Sequence, residues 1–96
     1  MMEIIETSQY LRTKKHLIKK HSLTQIEIEN AIVLFKEDRY STSLHYKKMT
    51  CKKDKDRYAI RIPNTQYRIL MNIVSDTSYL VCICDHDEYD RRNKDC

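Results

Sequence analysis

The chain of 96 residues has no glycine and no tryptophan, a single proline and a single phenylalanine. The missing glycine is the most restrictive absence. Phosphate loops of the Walker and dinucleotide-binding types need glycines for tight turns and close backbone approach, so neither kind of nucleotide site is available. Long apolar runs are missing too. The longest uncharged ones, Ala31 to Phe35 and Tyr79 to Cys84, hold five and six residues, against the roughly 20 that span a bilayer. A membrane span is therefore excluded. Residues 1 to 7 carry acids where a secretory leader has a basic and then an apolar stretch, which points to a cytoplasmic protein whose Cys51, Cys82, Cys84 and Cys96 are thiols.

What is present suits one small core. Leu, Ile, Val and Phe make up 22 of the 96 residues, just above the roughly one in five below which a highly charged chain stays disordered. Residues 1 to 96 read as a single domain. The net charge of +4 is unevenly spread. Residues 47 to 68 hold eight bases (Lys47, Lys48, Lys52, Lys53, Lys55, Arg57, Arg61, Arg68) against Asp54 and Asp56, while residues 85 to 96 are mildly acidic. Cations interleaved with Tyr46, Tyr58 and Tyr67 are what a polyanion site requires, since cations neutralise phosphates and aromatic faces stack on bases. The same charges could equally be a solvated surface.

Periodicity predicts the elements. Glu3 to Glu6 is short and β-branched, a first strand, and Thr7-Ser8 can cap a helix over Gln9 to about Lys20 with Leu11, Leu17 and Ile18 on one stripe. Thr24 followed by Glu27 fits a capping box for a second helix, in which Ile28, Ala31, Ile32 and Phe35 recur toward Glu37. Leu44 to Asp56 reads as a basic connection without glycine or proline. From Arg57 the period becomes two, until Pro63-Asn64 turns the chain; Tyr67 to Val74 and Tyr79 to Cys84 are further strands, joined by residues 75 to 78. The expected architecture is α+β, with order β-α-α-β-β-β: two N-terminal helices packed on a small, curved, mainly antiparallel sheet. Ile60, Ile62, Leu70, Val81 and Ile83 are expected to meet Ile28, Ile32 and Phe35.

Metal chemistry finds little support. Cys82 and Cys84 are two residues apart on one strand face, where core packing explains them better than a zinc knuckle with its second ligand pair. Asp85, His86, Asp87 and Glu88 are consecutive, and consecutive side chains rarely converge on one ion. No metal and no cofactor is expected.

The stretch Arg57 to Ile62, a turn, Tyr67-Arg68-Ile69-Leu70, and Cys82 to Tyr89 with its His-x-x-Tyr pattern resembles the RelE/ParE superfamily of toxins from bacterial type II toxin–antitoxin systems. The resemblance extends over nearly the whole chain and implies a RelE-like fold. It also implies one of two activities: a metal-independent, ribosome-dependent endoribonuclease that cuts mRNA and halts translation, or a ParE-like protein that poisons DNA gyrase without chemistry. Metal-free RNA cleavage needs a base, an acid and cations around the pentavalent phosphorus. Arg68 matches the family's Tyr-Arg motif and Arg61 lies where the family often has a second cation. His86, which titrates near neutrality, lies where its nucleases keep an acid or base. Tyr89 completes the motif as a stacking or orienting group, so the nuclease is the preferred branch. Arg61, Arg68, His86 and Tyr89 form the expected catalytic set. Lys47, Lys48, Lys52, Lys53, Lys55 and Arg57 are expected to grip RNA and ribosome, with no unique counterpart of the family's catalytic lysine among them. His45, beside the basic stretch, is a second titratable candidate. The partners implied are a cognate antitoxin, joining the toxin in a hetero-oligomer, together with the ribosome and mRNA.

Overall fold

A computed structural model describes residues 3–49, 56–85, 87 and 91. Strand β1 (Glu3–Glu6) leads into α1 (Ser8–Lys19), α2 (Gln25–Glu37), a short β2 (Lys47–Lys48), β3 (Arg57–Arg61), β4 (Arg68–Val74) and β5 (Thr77–Cys84). The strands form one sheet in the order β1-β5-β4-β3-β2, in which only β1 runs parallel to its neighbour. The α+β architecture, with both helices on one face of a mainly antiparallel sheet, is the one expected. Among the described residues no helix is long and apolar enough to cross a membrane.

Local chemistry accounts for the helices. Thr7 caps α1 by accepting a hydrogen bond from the Tyr10 amide at 3.3 Å, and α1 buries Tyr10 and Leu17. The helix ends in a Schellman arrangement: the amides of His21 and Ser22 donate to the carbonyls of Ile18 and Leu17, both at 3.0 Å, with His21 at φ 61°. Glycine usually takes that position. In its absence, His21, His45, Asn64 and Ser75 supply the left-handed turns of the described chain. The capping box of Thr24 and Glu27 starts α2, which buries Ile28, Ala31 and Phe35. The chain between α2 and β3, expected to be a plain connection from Leu44 onward, carries short elements. A 3-10 turn over Thr42–Leu44 drives Leu44 into the core, and β2 adds an edge strand. Both elements are too short to leave a periodic signal.

The core corrects two assignments. Ile60, Ile62 and Ile83 pack with Ile28 and Phe35, and with half-buried Ile32, as expected. Leu70 and Val81 do not join them: Leu70 lies in a second buried cluster with Met49, Ala59, Cys82 and Cys84, and Val81 packs against that cluster. For Leu70 the reason is strand alternation. Ile69 pairs with Ile60 on the helix side, so the next residue faces away. For Val81 the reason is a bulge. Leu70 pairs with Cys82 and Met71 with Leu80, so Val81 is an extra residue that lets Leu80 and Ile83 both face the helices. Helix α1 serves the backbone groups at this irregularity. The Thr7 hydroxyl donates to the Leu80 carbonyl at 2.6 Å, and the Ile83 amide donates to the Thr13 hydroxyl at 3.1 Å. Cys82 and Cys84 are core thiols, as expected, with their sulfurs 3.1 Å apart.

Candidate active site

The β3–β4 connection positions the first two candidate residues. Pro63 and Asn64 occupy the central places of a turn closed by the Thr65 amide donating to the Ile62 carbonyl at 3.2 Å, and Asn64 takes the positive φ of 64° that a type II turn requires at its third residue. The Ile62 amide donating to the Tyr67 carbonyl at 2.9 Å brings the two strands together. Arg61 and Arg68 then stand opposite each other, and Arg68 in turn stands opposite Cys84. One rung across the face turned away from α1 and α2 therefore reads Arg61, Arg68, Cys84, and it ends one residue before Asp85. Arg61 is anchored through its Nε, which donates to the Thr65 carbonyl at 2.9 Å. Both arginines are half-buried.

Arg57 shares that face, since alternate residues of β3 point the same way. Its Nε donates to Asn72 Oδ1 at 2.8 Å, a cross-strand bond that holds the side chain on the sheet. Lys47 pairs with Ala59, and so belongs to the same face, whereas Lys48 pairs with Tyr58 and points to the other. The basic segment thus divides between the two sides of the sheet. His86, Tyr89, Lys52, Lys53 and Lys55 lie outside the described residues. His45 sits exposed at the left-handed turn before β2, at φ 49°. Among the described residues no group of three or more His, Cys, Asp or Glu side chains comes together as a metal site would need.

Of the three tyrosines interleaved with the cations, the fold brings two together. The rings of Tyr46 and Tyr58 stack with centroids 5.5 Å apart and an interplanar angle of 2°. Phe35 lies 5.9 Å from Tyr46 on the core side, and the Tyr40 ring meets Tyr46 edge-on at 5.6 Å. Two cations border the array: the Arg39 guanidinium is 5.6 Å from the Tyr40 centroid and the Lys48 ammonium 5.9 Å from that of Tyr58. Burial raises the pKa of Tyr46, while a hydrogen bond from Arg39 opposes the rise. All three pack against the main core, Tyr67 without joining the array. Arg39 and Tyr40 belong to this cluster although periodicity assigns them to no element. The signal was an adjacent Arg-Tyr pair six residues before Tyr46.

No protein-family model matches the chain, and no curated protein matches it by sequence. Solved structures do. YafQ from E. coli strain BL21(DE3) superposes with a TM-score of 0.71 over 93% of this chain and 98% of its own, at 8% identity. A chain of the E. coli DinJ-YafQ toxin-antitoxin complex gives 0.72 over 91% and 94%, at 10% identity. The YoeB dimer from Staphylococcus aureus gives 0.67 over 88% and 95%, at 12% identity. The class that these elements define is the RelE-like α+β fold. The individual structures sharing it with this chain include YafQ and YoeB, and at these identities what is shared is the fold.

Proposed function

We propose that this chain is the toxin of a type II toxin–antitoxin system, acting as a metal-independent, ribosome-dependent endoribonuclease on mRNA. The observation that carries the reading is the rung Arg61, Arg68, Cys84, which stands two arginines opposite each other on adjacent strands, on the face turned away from α1 and α2, at the end of the strand that His86 follows in the sequence. In the reaction the 2′-hydroxyl attacks the adjacent phosphorus, its proton passes to a base, and the departing 5′-oxygen takes a proton from an acid. Arg68, with Arg61 beside it, holds the phosphate and stabilises the extra negative charge of the pentavalent transition state. His86 is the proposed acid or base, and Tyr89 stacks on a base or orients the phosphate. Arg57, Lys47, Lys48, Lys52, Lys53 and Lys55 engage the flanking backbone. A single small domain whose described cations are divided between the two faces of its sheet does little to impose in-line geometry on a flexible strand, so a ribosome presenting a strained codon supplies that geometry. A cognate antitoxin of acidic or amphipathic character silences the protein by covering the basic face, as the DinJ-YafQ complex pairs a toxin of this fold with an antitoxin.

The test is to induce the chain in cells, map mRNA 5′ ends and assay DNA breaks in parallel. Cuts within codons with intact DNA are expected; gyrase-dependent breaks without cuts would replace this reading with the ParE-like one. A single-turnover comparison of one short message, free and ribosome-loaded, then tests the ribosome requirement. Equal rates on both would remove it.

A further inference from the structure

The aromatic array at the β2 edge is separate from the arginine rung, and no part of the proposed chemistry uses it. Its outermost ring, Tyr40, is 75% exposed, the most open large hydrophobic side chain among the described residues. A solitary exposed ring on a surface needs no explanation. Tyr40 is not solitary. It meets Tyr46 edge-on, Tyr46 stacks on Tyr58, and the Arg39 guanidinium sits over the Tyr40 ring. The ring is thus presented to solvent and braced on one edge, which lowers the side-chain freedom that a planar ligand stacking on it would cost.

Charge and position favour one kind of ligand. Tyr58 and Arg61 are three residues apart on β3, roughly 10 Å at ~3.3 Å per residue, and they face opposite sides of the sheet. The strand between array and solvent edge is β2, where Lys47 points to the arginine side and Lys48 to the tyrosine side. Cations therefore run around the edge from one site to the other. A hollow of about 390 Å³ beside Tyr40 is lined by Glu37, Asp38 and Asp76 against Lys36 and Arg39, a slight excess of acid, whereas β2 carries cations alone, which favours the β2 path for a polyanion. We propose that Tyr40, backed by Tyr46 and Arg39, is a stacking platform for an unpaired base of single-stranded RNA whose backbone crosses β2 from the Arg61–Arg68 rung. This rests on the reading of the protein as acting on RNA, and it adds a second contact beyond the scissile phosphate.

The experiment measures binding of a fluorescent 2′-O-methyl decanucleotide, which cannot be cleaved, and of heparin, which carries the charge without the bases. Tyr40→Ala is expected to weaken the oligonucleotide about 5- to 100-fold while leaving heparin unchanged, and Tyr40→Phe to bind as the unaltered chain does. Unchanged oligonucleotide binding by Tyr40→Ala, or equal weakening of both probes, overturns the platform. So does a variant that loses affinity for the antitoxin alone, since the surface then serves a protein. If the platform fails while Arg68→Ala still stops mRNA cleavage, the nuclease reading stands. If Tyr40→Ala loses RNA binding but induction of the unaltered chain cuts no message, the platform stands and the nuclease reading falls.

Discussion

Arg61 and Arg68 are directly opposed residues on adjacent antiparallel strands, on the sheet face turned away from the helices. Two cations at one rung disfavour the sheet by several tenths of a kcal/mol up to about 1 kcal/mol unless negative charge lies close by. The Nε bond from Arg61 to the Thr65 carbonyl ties one guanidinium to the turn that also sets the strand register, so position and chemistry are coupled through five residues of chain.

Arg68→Ala is expected to abolish growth arrest on induction and to lower cleavage about 10²- to 10³-fold, the loss of a transition-state contact of about 3 to 4 kcal/mol. Its urea midpoint should correspond to a stability change under about 1 kcal/mol. Full growth arrest by a folded variant would remove Arg68 from the site.

His86→Gln is expected to slow the chemical step about 10²- to 10⁴-fold in single-turnover assays, with ribosome binding by sedimentation nearly unchanged, because proton transfer acts after binding. Parallel loss of rate and binding would mean that the histidine is structural.

Thr13→Val should destabilise the chain by about 1 to 3 kcal/mol in urea unfolding, since the Ile83 amide beside the bulge would lose its acceptor. Thr13→Ser keeps the hydroxyl and should recover most of the loss. If valine is tolerated without effect, α1 is not the bulge's partner.

Ser75→Gly should stabilise the β4–β5 hairpin. Ser75 sits at φ 54°, a region in which a β-carbon is penalised, and the relief less the added unfolded-state freedom is about 0.5 to 1 kcal/mol. Thermal unfolding should move up by about 2 to 8 °C. A lower midpoint would show that the turn carries no such strain.

The proposed antitoxin complex should weaken as salt rises, through slower association and faster dissociation, because the partner is proposed to cover the cations of residues 47 to 68. Surface plasmon resonance at two ionic strengths is the direct measurement. Salt-independent kinetics would move the interface to the apolar faces of the helices.

Residue types and local periodicity made much of the fold legible. The α-α-β-β-β order, the Thr24–Glu27 capping box, the Pro63-Asn64 turn and the helix-facing Ile60, Ile62 and Ile83 all depend on neighbours in the chain, and neighbours are what a sequence displays. Four things depended on distant residues. The bulge at Val81 shifted the alternation of β5 by one position, and its backbone groups are met by Thr7 and Thr13 some 70 residues earlier. The parallel docking of β1 on β5 is a pairing across most of the chain's length. At the candidate site, the motif pointed to Arg61 and Arg68 separately, but only cross-strand register made them one rung. Tyr40, Tyr46 and Tyr58 became a single array because the 3-10 turn and β2 folded three separated rings together, an outcome of packing against Phe35 and the sheet edge that no spacing along the chain encodes.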